Sequence, residues 1–437
     1  MLDVAPPGDF PDRLREDKLM HSSGSMRAQI GTLIIATSII QLANGFFNTY
    51  ISLRVASENF GATMSGLVLS SFFAGFTLGA MRCAQIIERI GHIRAYAAFA
   101  GLVVAATAAM PLKTGPLPWL VLRGIIGFGS AGVFVTTESW LNAKAQPSER
   151  GHVFSIYMVG TFVALAVGQL LIGRAELEGA GPFNAIVALF AVALVMVSAT
   201  RAEPPRTPAI EKLRYSQLAR AAPVAVVGCV VNGLVTSAFY ALVPAWMQDK
   251  GVDRAHIALF MLVAVVGGLA FQVPVGRLSD RFDRRIVLVV LGVGFASMSV
   301  VLVLLPRSSP MILPTAAVVG GFMSTLYPVC VANAHDRMPA DRVVAVSGGL
   351  ILVSGLGSVL GPLIGTSLMA RFDINGVFYF MAAAAVLLAL VAASGSLIMA
   401  APHRLRRPFE ILAPQAVPLA HDVPGASGDQ PLPESMH

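Results

Sequence analysis

The feature that most constrains this chain is a succession of long apolar runs along nearly its whole length. Two of them read GTLIIATSII and AIVALFAVALVMVSAT. A helix needs roughly 20 apolar residues to cross about 30 Å of hydrocarbon, and backbone polar groups inside a bilayer must bond to one another. The alternating ten-residue segments of a membrane β-barrel are not visible. The sequence therefore predicts an all-α integral membrane protein.

Twelve such runs are long enough to cross a membrane. Charged residues make up only 13% of the 437 residues, about half the share typical of a soluble protein. The predicted spans are 28–53, 62–84, 92–112, 117–141, 152–173, 181–200, 222–247, 255–275, 286–306, 311–334, 343–369 and 376–400. We expect transmembrane helices in two six-helix, pseudo-symmetric halves.

The polar segments divide the chain into five parts. Residues 201–221 form a polar linker between an N-terminal half, 28–200, and a C-terminal half, 222–400. The end segments, 1–27 and 401–437, are polar and contain no long apolar core, so we expect them to be disordered and cytosolic.

Lys and Arg are distributed unequally between the two sides that these spans create. Segments on the side of the N-terminus carry 23 of the 31 Lys and Arg residues. Because basic loops remain in the cytoplasm during insertion, both termini and the linker are predicted to be cytoplasmic, in a bacterial inner membrane. The net charge of +7 thus reports orientation and does not indicate a nucleic-acid partner.

Short charged motifs repeat between the two halves. ERIGHIR, beginning at Glu88, and DRFDRR, beginning at Asp280, are 192 residues apart, and PSER and PADR match at the same offset. Each pair falls in the corresponding loop of its half. Two halves descended from one repeat account for this register.

These features resemble the major facilitator superfamily of transporters. Its loop motif of Gly, three residues, Asp-Arg, two residues and basic residues is matched by the following set: Gly276, Asp280, Arg281, Arg284 and Arg285. The copy in the first half is degenerate, since Ala84 and Glu88 stand where Gly and Asp are expected. In the fourth span, Arg123 and Gly127 match the family's Arg-x-x-x-Gly motif.

Shorter peptides resemble one branch of that family. FNTY, TTESWLN, GQLLIG and STLYPVCVA are similar to the YcaD-like branch of bacterial facilitators. Drug–proton antiporters of the family usually carry Gly-Pro in the fifth span. Here Gln169 follows Gly168, which weakens the antiporter interpretation.

Two stripes of uncharged polar residues indicate a solute path. The first span carries Thr37, Gln41, Asn44 and Asn48 on one helical face, and the seventh carries Asn232, Thr236 and Tyr240 at spacings of four. Amides facing lipid are costly, so both stripes should face the bundle interior. They either line the substrate path or bond neighbouring helices.

Arg123 and Glu138 are the clearest ionisable residues well inside predicted spans, where such groups are functional candidates. Arg123 would hold a substrate anion or assist proton movement, as the resemblance implies, or else bond backbone carbonyls. Glu138 lies near the cytosolic end of its span. It would titrate as a coupling carboxylate, or pair with Arg150 or the loop near Arg89 to close the cytosolic side.

The charged loop GRLSDRFDRR is predicted to be a hinge and latch between conformations. Gly276 would permit a tight turn, Asp280 would pair with basic residues, and Arg281, Arg284 and Arg285 follow the orientation rule. His335 and Asp336 follow the tenth span in a short turn, and we expect them on the loop surface.

No motif indicates an enzyme or a metalloprotein. The chain has no Gly-x-Ser-x-Gly motif and no phosphate-binding loop, and its three cysteines lie far apart in sequence. We expect a monomer without cofactor or metal whose partners are a small-molecule solute, the lipid bilayer and, as one candidate coupling ion, the proton.

The sequence thus predicts a secondary active transporter that works by alternating access. We expect coupling to an ion gradient, but proton antiport, proton symport and facilitated diffusion all fit the sequence. Its solute would be small and polar or amphipathic, a class that includes anionic solutes. Two alternatives remain open: a drug or metabolite efflux proton antiporter, and a membrane receptor or sensor built on a transporter fold.

Overall fold

A computed structural model describes residues 10–146, 149–200, 215–306, 309–338 and 342–398. The helices of the first half are α1 (Phe10–Ser57), α2 (Ala62–Ile90), α3 (His92–Ala109), α4 (Pro116–Lys144), α5 (Arg150–Leu170) and α6 (Gly181–Ser198). A short helix α7 (Tyr215–Ala221) precedes the second half. That half contains α8 (Pro223–Asp249), α9 (Arg254–Arg281), α10 (Arg284–Leu304), α11 (Ile312–His335), α12 (Val343–Arg371) and α13 (Gly376–Ile398).

Twelve of the described helices are long and apolar enough to cross a membrane, which confirms the predicted spans. Several continue beyond the apolar run: α2 ends at Ile90 and α9 at Arg281. A helix satisfies its own backbone groups, so it continues past the hydrocarbon boundary until a turn residue ends it. Gly91 does so after α2, with φ of 82°, a conformation that favours glycine.

The ends of the chain and the linker lie largely outside the described residues. Residues 1–9, 201–214 and 399–437 are not described, and α1 begins at Phe10 with its membrane span at Ala28–Ser57. The predicted disorder of 1–9 and 401–437 and the linker bounds 201–221 therefore stay predictions, whereas residues 10–27 of the predicted disordered segment belong to the described helix α1.

The two halves pack their helices in the same pattern. In the first half α2 packs on α4, α1 on α5 and α3 on α6, and in the second half the equivalent pairs are α9 on α11, α8 on α12 and α10 on α13. A Cβ on Gly75 would lie 1.9 Å from the Gly124 carbonyl oxygen, and one on Gly267 would lie 2.0 Å from that of Ala317. These glycines are 192 residues apart, the offset of the charged loops, so the sequence repeat is also a packing repeat.

The halves meet mainly through three helix pairs, α2 with α12, α5 with α9, and α1 with α8. We call the end of the bundle where α2 meets α3 and α9 meets α10 the linker end, and the opposite end the far end. At the far end the Ser52 hydroxyl donates to the Ala241 carbonyl at 2.5 Å, and the Arg254 guanidinium donates to the Ala175 carbonyl. These bonds close the far end between the halves.

Candidate functional site

A cavity of about 90 Å³ lies at mid-bundle between the two halves. The first half contributes residues of α1 and α2, and the second half contributes residues of α8, α11 and α12. The lining residues are Asn48, Phe72, Phe73, Phe76, Thr77, Ala80, Asn232, Thr236, Ser237, Tyr240, Tyr327, Ile351, Leu352, Ser354, Gly355 and Ser358. None of them is charged. Any movement of one half against the other would change the shape of this cavity.

Only part of the predicted stripe on α1 lines the cavity. Asn48 lines the cavity, whereas the Asn44 amide donates to Gln41 Oε1 at 3.2 Å, and both of these side chains are buried. The Thr37 hydroxyl bonds Thr137 of α4 at 3.3 Å. The structure thus places Asn48 at the cavity, joins Gln41 to Asn44 within α1, and uses Thr37 to join α1 to α4.

The predicted stripe on α8 lies entirely along the cavity. The Asn232 amide donates to the Ser354 hydroxyl at 3.4 Å and accepts from the Thr236 hydroxyl at 3.4 Å. Tyr240, one turn further along α8, also lines the cavity. These three residues and Ser354 of α12 form a polar wall.

Three phenylalanines of α2, Phe72, Phe73 and Phe76, form an apolar wall of the cavity that sequence analysis did not predict. Phe72 and Phe73 lie edge to face with ring centroids 5.3 Å apart, and Phe76 lies 6.2 Å from Phe72. Phenylalanine is ordinary in a membrane span, so only the position of α2 beside α12 reveals its role. Tyr327 of α11 also lines the cavity and was not predicted from the sequence. Its hydroxyl has no hydrogen-bond partner among the described residues.

Arg123 does not line the cavity. Its guanidinium lies 4.5 Å from the centroid of the Phe72 ring and 5.1 Å from that of Phe47, and its side chain is 2% exposed. Its Nε and Nη1 atoms have no hydrogen-bond partner in the described structure. The two rings therefore stabilise the cation through their π faces, and Phe72 separates it from the cavity.

Glu138 is buried in contact with α5. Its Oε1 accepts a 3.3 Å hydrogen bond from the Tyr157 hydroxyl, and Oε2 has no partner among the described residues. The pairing with Arg150 that the sequence left open is not formed in this state: Arg150 donates from Nε to the Ala145 carbonyl at 3.3 Å. Glu138 is thus a buried carboxyl with one tyrosine donor.

The charged loop joins three helices of the second half. Arg284, at the start of α10, contacts Asp336 after α11 at 3.1 Å and Asp280 near the end of α9 at 3.7 Å. Arg285 contacts Asp283 at 2.8 Å, while Arg281 is exposed. The Asp283 side chain also accepts from the Arg285 backbone N–H, which makes it the cap of α10.

Two expectations about this region are wrong. Gly276 lies buried inside α9, which continues to Arg281, so it does not form a turn. Asp336 is not a surface residue of the loop; its side chain is only 9% exposed because it pairs with Arg284. His335 contacts the Ser347 hydroxyl at 3.0 Å.

The fold and the cavity define the class of protein: a polytopic membrane protein with two repeated six-helix halves around one central site. Its sequence matches the Major Facilitator Superfamily over residues 33–269 and 225–410. The chain belongs to this superfamily.

Relatives and solved structures agree with that assignment. The uncharacterized MFS-type transporter YcaD of Escherichia coli O6:K15:H31 is 30% identical over 358 residues, which cover 80% of this chain and 91% of the relative. YcaD of Shigella flexneri is also 30% identical, over 364 residues, with the same coverage. The resemblance to the YcaD-like branch is thereby confirmed.

Two solved structures share the fold. A point mutant of the nucleoside transporter NupG superposes with a TM-score of 0.72 at 11% identity, covering 84% of this chain and 99% of the other. A bacterial homologue of the human lysosomal transporter Spinster, inward-facing and occupied, gives 0.67 at 17% identity, covering 83% and 94%. These relatives and neighbours are transporters and not enzymes, as expected.

Proposed function

We propose that this protein is a secondary active transporter that moves a small polar or amphipathic solute by alternating access through the central cavity. The observation that carries the proposal is that both halves line one cavity at mid-bundle. A site shared by two repeats can be opened to one side and then the other by rocking the halves.

The chemistry of the lining favours an uncharged solute over an anion. Asn48, Asn232 and Tyr240 offer amides and a hydroxyl, and the guanidinium of Arg123 lies over the Phe72 ring rather than in the lining. Moving an ion into an uncharged site inside a membrane is costly. A neutral solute avoids this cost.

Orientation and coupling complete the proposal. The excess of Lys and Arg on the linker side supports cytoplasmic termini, so the far end faces outward. Glu138 is the candidate for coupling to protons because it is a buried carboxyl with one hydrogen-bond donor. The cluster of Arg284, Asp280 and Asp336 is the candidate for the conformational latch at the linker end.

Cysteine accessibility tests alternating access without knowledge of the solute. Ser354→Cys would be introduced after replacing the native Cys83, Cys229 and Cys330, which are all buried. In right-side-out and inside-out vesicles, a membrane-impermeant maleimide should label the cavity cysteine from both sides. Val290→Cys, on an exposed apolar position, is the control and should react from neither side.

A cross-link at the far end makes the test directional. Cysteines at Ser52 and Ala241 replace residues that bond between the halves, so a short thiol cross-linker should hold that end closed. Labelling of the cavity cysteine from the far side should then stop, and labelling from the linker side should continue. One-sided labelling before cross-linking would refute alternating access and support a sensor.

A further inference from the structure

We propose that the ligand of the central cavity is a neutral single-ring aromatic amide, bound with its ring on the α2 phenylalanines and its amide edge on Asn48, Tyr240 and Tyr327. This inference rests on the proposed function, since it names the substrate class of the same cavity.

The apolar wall selects a flat ring. Phe72, Phe73 and Phe76 present three aromatic groups from one helix, with Phe72 and Phe73 perpendicular at 85°. Aromatic rings prefer offset-stacked or edge-to-face contacts with one another, and these contacts add to the energy of burial. A saturated ring of similar size gains only the burial.

Polar residues of the cavity lining offer hydrogen-bonding groups to a ligand. The Tyr327 hydroxyl is buried, with the residue 8% exposed, and it has no hydrogen-bond partner in the described structure. Asn48 and Tyr240 also line the cavity, where they offer an amide and a hydroxyl to a ligand. Buried polar groups are costly when unpaired, so a ligand that supplies a carbonyl and an N–H is favoured.

The volume of the cavity and the absence of charge in its lining narrow the class of ligand further. One water needs roughly 10–15 Å³ of such space, so the cavity of about 90 Å³ has room for roughly six to nine water-sized groups. This suits one ring with a carboxamide. The lining contains no charged residue, and Phe72 covers the Arg123 guanidinium at 4.5 Å, so a carboxylate in place of the amide would lack a counter-ion.

Three probes test these features one at a time on the full-length purified protein. Nicotinamide is the expected ligand, nicotinate carries the same ring with a charge, and cyclohexanecarboxamide carries the same amide on a saturated ring. We expect nicotinamide to bind at least about tenfold more tightly than either, by calorimetry or a thermal-shift titration. Nicotinate binding as tightly as nicotinamide, or the absence of nicotinamide binding, would overturn the proposal.

Matched variants assign the selectivity to the cavity. Tyr327→Phe removes one hydroxyl and should weaken nicotinamide binding by about tenfold, the value of one hydrogen bond. Tyr379→Phe is its control, because Tyr379 is half exposed on the outer face of α13. Phe76→Leu should reduce the preference for nicotinamide over cyclohexanecarboxamide, and Phe282→Leu, at an exposed position, should not. Unchanged binding in Tyr327→Phe together with Phe76→Leu would contradict the assignment to this cavity.

The two proposals fail differently. If the cysteine in the cavity reacts from both sides but nicotinamide does not bind, transport stands and the substrate class is wrong. If nicotinamide binds selectively but the cysteine reacts from one side only, the ligand class stands and transport is wrong.

Discussion

Replacing Asp336 with Asn should destabilise the second half of the bundle far more than replacing Asp280 with Asn. Both carboxylates contact Arg284, but Asp336 does so at 3.1 Å with 9% of its side chain exposed, and Asp280 at 3.7 Å with 41% exposed. The Arg284 side chain itself is 2% exposed. The two substitutions therefore compare a buried and a partly hydrated partner of one cation.

The expected magnitudes follow from that difference in burial. Neutralising one member of a buried charge pair costs about 3–5 kcal/mol, because it leaves the other charge without compensation. An exposed pair contributes about 0–1 kcal/mol. We expect Asp336→Asn to cost about 3 kcal/mol and Asp280→Asn about 0.5 kcal/mol. For a half-bundle that melts as one unit, the difference corresponds to roughly 5–10 °C in Tm.

Thermal unfolding of the detergent-purified variants measures the effect. Glu88→Gln is the matched control, since it removes an exposed carboxylate at the same end of the first half and should leave Tm unchanged. Equal Tm losses for the two aspartate variants, or a larger loss for Asp280→Asn, would refute the claim that burial decides the strength of these contacts.

Three further predictions concern packing, pH and coupling. Gly75→Ala should lower the free energy of unfolding by about 1–3 kcal/mol, because its Cβ would lie 1.9 Å from the Gly124 carbonyl oxygen. Gly101→Ala is the control: its Cβ would meet nothing within 4 Å, so it should be neutral or stabilising in the same thermal assay. The side-chain hydrogen bond from Arg285 lowers the pKa of Asp283 below its ordinary value of 3.8. The contribution of this hydrogen bond to stability is therefore complete above about pH 4, and it is lost as the pH falls through the lower pKa of the folded state. Asp283→Asn should accordingly flatten stability against pH in that acid range, and an unchanged acid limb would contradict this. If Glu138 couples protons, Glu138→Gln should reduce proton-driven nicotinamide uptake into proteoliposomes by about tenfold or more and leave counterflow intact. Full retention of the proton-driven uptake would exclude this role for Glu138.

Hydropathy predicted the twelve helices because a bilayer requires apolar helical spans of a fixed minimum length. The loop repeat likewise predicted two equivalent halves, and the equal offset of Gly75 and Gly267 has the same origin. These features depend on local composition and register, which the sequence shows directly. The cavity depends instead on which helices become neighbours across the two halves.

The polar residues of α1 and α4 show why the cavity could not be predicted from local sequence. Helical periodicity placed Gln41, Asn44 and Asn48 on one face but could not show that only Asn48 reaches the cavity, because α5 packs on α1 and changes what that face meets along its length. For Arg123, the rings that cover it come from α1 and α2, at positions that look like ordinary apolar residues of a span. Its burial could therefore not be read from α4 alone.

The contacts of the charged loop lie within the second half of the protein, whereas the cavity lies between the two halves. Arg284 contacts Asp280 and Asp336 within the second half, so its contacts fix the relative positions of α9, α10 and α11 and do not depend on the solute. The cavity wall formed by Phe72, Phe73 and Phe76 faces polar residues of the other half. Under the proposed function, selection of the solute depends on side chains that are brought together only when the halves meet, and an uncharged pair of walls favours shape and hydrogen bonding over charge.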